Sequence, residues 1–446
     1  MAQTERKTSR TLAIIKLGLP ILIGQLGMII VGFADTKMVG LYSTEALASA
    51  SFVNNLFNVC IFACVGFTYG LTPLIGALFS QKRLDAIGNT LRNGVIINIL
   101  FALLLTAIMT VVYINLHRLG QPEELLPLIR PYFLIYLAGL IPVALFNVFA
   151  QWAYAINRTK MPMWIILAAN VGNIFGNWLL IYGNWGFPEL GLNGAGISTL
   201  IARIICPVAI ISVMIVNKQY RAYRNGFAAA RINRSTLAQI SRTSVPVALQ
   251  MTFESGSFTA AAVMAGWIGA ISLAAFQVIV ITGTLGFCVY YSVAAAEAVL
   301  VSNAAGLGDR AEMRRLAFAG YKILLTLAAT ASCIFIFLGP EIIHQFTHDP
   351  EVISLALSMI VPLVIYQFGD ATQINFANAL RGTSNVMPML WIAFVSYVII
   401  GLPATWLLGF PCGLGTYGII LSFSISLFIA AALFFYYFMR TTRKNR

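Results

Sequence analysis

The stretch Gly94-Val-Ile-Ile-Asn-Ile-Leu-Phe-Ala-Leu-Leu-Leu-Thr-Ala-Ile-Met-Thr-Val-Val-Tyr-Ile114 contains no charged residue. As a helix rising ~1.5 Å per residue it reaches about 30 Å, the thickness of the hydrocarbon core of a bilayer. A transmembrane β-strand would instead be roughly ten residues of alternating polarity, and this run does not alternate. Comparable apolar runs recur at approximately 12–39, 46–79, 94–115, 127–154, 161–183, 191–216, 243–268, 272–304, 316–338, 352–380, 386–409 and 413–439. Over its 446 residues the chain is 59% hydrophobic and 10% charged, whereas a soluble domain carries about 25% charge. A soluble globule this poor in charge would expose large apolar areas and aggregate. The reading is an all-α membrane protein with twelve transmembrane helices.

The formal net charge of +13 raises nucleic acid as a partner, but the basic residues fall between the apolar runs and not along one soluble face, so no nucleic-acid role is expected. Sorting them by loop gives the orientation. One side collects Arg6, Lys7, Arg10, Lys82, Arg83, Arg92, Arg158, Lys160, the basic residues of 218–242, Arg310, Arg314, Arg315, Lys322, Arg381 and the C-terminal cluster from Arg440. The other side holds only Lys37, Arg118 and Arg130. Both termini are therefore expected in the cytoplasm, which requires an even number of spans. Met1–Arg10 is polar and basic, and the first apolar run is too long for a signal-peptide core, so it is expected to remain as the first span. The six cysteines form no CxxC pair and read as buried small hydrophobes.

The second half repeats the first. Gly18-Leu-Pro20 meets Ser244-Val-Pro246, Ala46-Leu47-Ala48 meets Ser272-Leu273-Ala274, Gly94 meets Gly320, and Met161-Pro162 meets Met387-Pro388, all 226 residues apart. After a small length change, Gly191-Leu192 and Gly196 meet Gly413-Leu414 and Gly418. Six spans per repeat start both halves on the same side, giving two parallel six-helix lobes with pseudo-twofold symmetry about the membrane normal. The expected divisions are an N-terminal lobe over 1–225, a cytoplasmic linker over 226–242 and a C-terminal lobe over 243–446. Such lobes are expected to enclose a cavity and to rock for alternating access.

A carboxylate within the bilayer costs several kcal/mol (about 2.5–3.5 on insertion scales), which makes it a functional candidate. Glu254 lies near the middle of the seventh span, and Asp370 lies inside the tenth, one helical turn after Tyr366. Asp35 stands toward the outer end of the first span, beside Lys37; it is either a surface charge or a partner for the amides Asn170, Asn173 and Asn177 of the fifth span. Glu297 in the eighth span either snorkels, pairs with an inner arginine such as Arg314 or Arg315, or serves transport. Arg203 in the sixth span either snorkels or pairs within the bundle. Under the 226-residue offset Glu254 falls over Met28, Asp370 over Ala144 and Asp35 over Ala261, so the lobes share a scaffold but not their charges. Desolvation lets such carboxylates take up a proton, and neighbouring oxygens could hold a hard cation such as Na⁺. Acidic groups with aromatic rings also suit an organic cation. His117, His344 and His348 form no ligand spacing, and there is no nucleotide-binding motif, so neither a metal enzyme nor an ATP-driven pump is expected.

Several local patterns, in order, resemble the multidrug and toxic compound extrusion (MATE) transporters, in their NorM-like branch. They are Gly32-Phe-Ala-Asp35-Thr, Gly172-Asn173-Ile-Phe-Gly-Asn177-Trp178, Pro188-Glu-Leu-Gly191-Leu-Asn-Gly194-Ala-Gly196, Pro246 with Phe253-Glu254, Tyr366-Gln367 with Asp370-Ala, and Leu380-Arg381-Gly382. The resemblance covers essentially the whole chain. It implies an antiporter of the inner (plasma) membrane that exports cationic amphipathic drugs in exchange for Na⁺ or H⁺, with no other cofactor, working as a monomer. It also implies that Glu254, Tyr366 and Asp370 form the second-lobe cation-linked and substrate set, and Asp35, Asn173, Asn177 and Thr199 the first-lobe set, with Ala195 beside it. Some members carry Asp where this chain has Asn177. The bending span of related proteins is the one carrying Pro20. The rival reading is a flippase for lipid-linked oligosaccharide or peptidoglycan precursors, which should present a basic cavity; here the mid-membrane charges are mostly acidic.

Overall fold

The computed structural model describes residues 2–119 and 122–443. Among these residues there is no strand, and twelve helical segments account for nearly all of them. Numbering these segments only, they are α1 Ala2–Tyr42, α2 Thr44–Ser80, α3 Leu84–Ile114, α4 Glu123–Ala155, α5 Lys160–Tyr182 and α6 Gly191–Val216. The second half continues with α7 Arg234–Ile268, α8 Ala270–Gly306, α9 Arg310–His344, α10 in the two pieces Pro350–Ser358 and Ile360–Gly382, α11 Met387–Gly409 and α12 Gly415–Thr441. Ten of them, with the two pieces of α10 as an eleventh, are long and apolar enough to cross a membrane. The exception is α7. It is long enough, but Gln250, Thr252, Glu254, Ser255, Ser257 and Thr259 leave its middle too polar to qualify on composition.

The prolines explain where these helices break. Pro73, Pro142, Pro362 and Pro403 each fall in the first turn after an interruption. There a missing N–H costs nothing and the fixed φ favours helix initiation. The break at Met359 bends α10 by 47°. Pro20 and Pro246, mates in the repeat, instead lie inside continuous helices. In α11 the backbone widens to a π-helix over Phe394–Gly401. Ser43 caps α2 by accepting from the Ala46 N–H, and Asp309 caps α9 by accepting from the Glu312 N–H.

Contacts divide the chain into two compact units, one running Ile23–Ala248 and the other taking the chain up to Leu22 and from Leu249 onward. These units differ from the expected lobes at two places. The first part of α1 groups with the second half of the chain, because Gly18 lets it close on α8: a Cβ there would lie 3.2 Å from the Ser292 carbonyl. In the same unit the Arg10 guanidinium grips Glu312 of α9 through two hydrogen bonds of 2.6 and 2.8 Å. The second place is the segment expected as a linker, which is held to the Ile23–Ala248 unit. A short helix, Arg221–Ala229, lies against α3 at Gly88, where a Cβ would come within 2.3 Å of the Tyr223 carbonyl oxygen. Trp152 packs edge-on against Tyr220 and Tyr223, and Arg92 donates to the Ala230 carbonyl at 2.7 Å.

Candidate functional site

Two polar clusters lie inside otherwise apolar packing, one in each unit. In the Ile23–Ala248 unit the small residues of α1 and α5 allow the approach. Gly27 brings α1 against Asn170, Gly176 leaves room for Ser198 of α6, and the Tyr182 hydroxyl donates to the Met38 carbonyl at 2.8 Å. This sets Asp35 beside α5, where Asn177 donates to its carboxylate at 2.5 Å. With its amide oriented to satisfy both neighbours, Asn173 also donates to Asp35, at 2.9 Å, and accepts from the Thr199 backbone N–H at 3.1 Å. Thr199 in turn donates to the Ala195 carbonyl. Asp35, Asn173, Asn177 and Thr199 are thus brought together, with Asp35 held by amides and in no ion pair with Lys37 among the described residues. Asn177 is fully buried and its Oδ1 accepts no hydrogen bond. A carboxylate, two amide oxygens and a hydroxyl fit a hard cation. An apolar cleft of about 380 Å³ between α5 and α6 opens beside Asn173 and Ser198.

Arg203, half-buried, does not stand alone. Its guanidinium lies 4.5 Å over the Tyr136 ring, a cation–π contact. It packs against Gly139, the break in α4, and is close enough to act electrostatically on Asp35.

The second cluster is built by α7, α8, α10 and α11. On α7, Gln250 donates to the Glu254 carboxylate at 2.7 Å, one helical turn away. The Tyr397 hydroxyl, from the π-helical part of α11, faces the same carboxylate. Tyr366 and Asp370 come from α10; Asp370 is buried, lies within electrostatic reach of Glu254 and Tyr366, and keeps one oxygen, Oδ2, without a partner. Beneath them the Tyr290 hydroxyl of α8 donates to Gln367 at 2.8 Å, in space that Gly286 leaves open. The sequence-derived set Glu254, Tyr366 and Asp370 is therefore one cluster. Gln250, Tyr290 and Tyr397 were not among the residues expected; Gln250 has a sequence signal in its position four before Glu254, and Tyr397 has none.

A small cavity of about 30 Å³, the scale of one water, adjoins Glu254; Gln250, Gln373, Asn378 and Arg381 line one part of it, and Met251, Phe287 and Met389 another. Arg381 was counted with the cytoplasmic loops. It is instead only 4% exposed and within hydrogen-bonding distance of the Tyr291 hydroxyl, 3.3 Å away. Glu297 departs from the expected pairing too. Arg314 donates to Thr442, and Arg315 approaches Glu312.

Comparison with known proteins places this geometry. The family described as MatE matches residues 20–179 and 246–407. A "Probable multidrug resistance protein NorM" of Geobacillus kaustophilus is 27% identical over 419 residues, covering 94% of this chain and 92% of its own. Its namesake from Listeria monocytogenes serovar 1/2a is 29% identical, covering 92% and 90%. Among solved structures, the eukaryotic MATE transporter AtDTX14 superposes with a TM-score of 0.87 at 17% identity, covering 98% of each chain; at that identity the likeness speaks for the fold.

Proposed function

Because the chain belongs to the MatE family, a family of multi-pass membrane transporters, we propose that it is a cation-coupled antiporter exporting cationic, amphipathic organic compounds by alternating access. The observation that carries this reading is the Glu254–Asp370 pair. Two carboxylates act on each other among tyrosine hydroxyls and amides, and among the described residues neither forms an ion pair. Two neighbouring acids in a buried site, neither of them in an ion pair, are held most stably when a cation or proton sits with them. Binding of the coupling ion and binding of a cationic substrate are then alternatives at one place. Sharing the site couples the two fluxes. The NorM names of the relatives support the substrate class. The Asp35 cluster, rich in oxygen ligands, is the second ion-responsive element. We assign the protein to the inner or plasma membrane with both termini cytoplasmic, acting as a monomer.

The test is efflux of a cationic dye from cells expressing the protein, with the Na⁺ and proton gradients collapsed separately. Expression should lower dye retention, and the gradient whose loss abolishes this names the ion. No efflux under either gradient would overturn the antiporter reading and direct the search to lipid-precursor translocation.

A second prediction concerns Asp35. Asp35→Asn removes the charge while preserving the size and the hydrogen-bonding capacity toward Asn173 and Asn177. Half-maximal activation by the coupling ion should move to about tenfold higher ion concentration, the loss of one charge-assisted contact of ~1.4 kcal/mol. Superimposable ion titrations of variant and wild type would remove Asp35 from the coupling scheme.

A further inference from the structure

One buried acid stands outside both clusters. Glu297 of α8 is 0% exposed, and neither of its carboxylate oxygens has a hydrogen-bond partner among the described residues. Asn375 of α10 is equally buried; its amide nitrogen donates to the Ala317 carbonyl at 3.2 Å, which leaves Oδ1 without a donor. Gly320 of α9 completes the contact. A Cβ built there would lie 2.0 Å from Glu297 Oε2 and 3.1 Å from Asn375 Oδ1. A carboxylate and an amide oxygen thus converge on the space that this glycine keeps open. Acceptors cannot satisfy one another, so the site calls for a proton or a cation.

The surrounding elements supply no counter-charge. On α9, Arg314 is bonded to Thr442 and Arg315 turns to Glu312. Arg10 of α1 is held by the same Glu312. Asp370 and Arg381 lie five and six residues along α10 from Asn375, on other faces of that helix. Among the described residues Glu297 forms no ion pair, and Lys16 of α1 and Lys322 of α9 are exposed.

The duplication provides an internal control. Displaced by 226 residues, Glu297, Gly320 and Asn375 become Leu71, Gly94 and Phe149. In the other unit a Cβ on Gly94 would meet Leu71 at 2.8 Å, and Leu71 and Phe149 share one buried apolar core. The same helix contact is therefore built from leucine and phenylalanine in one half, and from a carboxylic acid and an amide in the other. Packing does not require the polar pair.

We propose that Glu297 is a separate proton-binding site. In the conformation described here it carries its proton, donating an O–H to Asn375 Oδ1, and it exchanges that proton with water at another stage of transport. A proton fits better than a metal cation. Three oxygens are free of donors, the carboxylate packs directly on the glycine backbone, and a hard cation needs a fuller oxygen shell. The transport part of this assignment rests on the antiporter reading; the protonation part does not.

The experiment uses the full chain in lipid nanodiscs and in cells. In the Glu254→Gln/Asp370→Asn background, the infrared difference spectrum at neutral pH between that protein and its Glu297→Gln derivative should show the loss of one carbonyl band of a protonated carboxylic acid, because exposed carboxylates are ionised in both proteins at that pH. A spectrum unchanged by Glu297→Gln overturns the protonation. In dye efflux, Glu297→Gln and the repeat transplant Glu297→Leu/Asn375→Phe should both flatten the slope of log rate against pH, by up to about one unit, the value for one linked proton. A wild-type slope in Glu297→Gln reduces the site to packing and overturns its transport role. The glutamine variant keeps the shape and a donor for Asn375, so this arm stands even where the transplant fails to fold. Absence of efflux from wild type would overturn the antiporter reading, and the infrared arm would still decide the proton.

Discussion

In cells expressing Glu254→Gln, the dye gradient maintained by wild type is expected to fall to the level of cells without the protein. Glutamine has nearly the same volume and can still meet Gln250 and Tyr397, so the α7–α11 packing survives. What disappears is the charge. A potential of 100 mV supplies about 2.3 kcal/mol per transported charge, which sustains a substrate ratio of about 40-fold. Once the carboxylate that alternates between ion and substrate is neutral, none of that energy reaches the substrate, and the dye returns to its passive distribution. Dye retention at matched membrane levels reads this directly. Retained export by Glu254→Gln would falsify the assignment of coupling to this carboxylate. The Asp370→Asn variant should show the same loss, since the two acids act on one another.

The second large effect concerns folding. At Gly88 a Cβ would lie 2.3 Å from the Tyr223 carbonyl oxygen and 2.4 Å from the Phe227 nitrogen. Both are backbone atoms of the helix Arg221–Ala229, which cannot move aside by changing rotamer. Overpacking against side chains costs about 1–3 kcal/mol, and here the whole short helix must lift from α3. Its departure would expose Trp152, Tyr220 and Tyr223 together. Gly88→Val should therefore lower the thermal midpoint of the purified protein markedly and reduce its yield in the membrane. Gly172→Ala is the matched control, because nothing lies within 4 Å of its Cβ position; it should leave the midpoint unchanged or raise it slightly, since alanine loses less entropy than glycine in a helix. Equal midpoints for Gly88→Val and wild type would show that the connecting helix contributes nothing to stability.

Much of this architecture was legible in one dimension. A bilayer imposes a single length scale and demands that backbone groups bond internally, so long charge-free runs such as Gly94–Ile114 have few alternatives to a spanning helix. Buried charge is costly enough that each intramembrane carboxylate announced itself, and four-residue spacing correctly put Asn173 with Asn177 and Tyr366 with Asp370. The common offset of repeat mates exposed the duplication without any coordinates. The weak point was α7, whose polar middle, from Gln250 to Thr259, leaves its composition short of a membrane span.

Other features depended on contacts between residues far apart in the chain. The meeting of Asp35 with Asn177, and of Glu254 with Tyr397, joins different helices, and nothing in the local sequence of either partner specifies the other. Arg381 looked like a loop cation, but it falls in the last turn of α10 and is buried beside the Glu254 cavity. Glu297 looked like half of an ion pair, yet the arginines nearest in sequence are committed to Thr442 and Glu312. Apolar length and the cost of charge in hydrocarbon are properties of each segment alone, and the sequence by itself determined them. Which oxygen faces which depends on rotation and depth of neighbouring helices, set by close approaches at glycines such as Gly176, Gly286 and Gly320, and only the tertiary structure decided that.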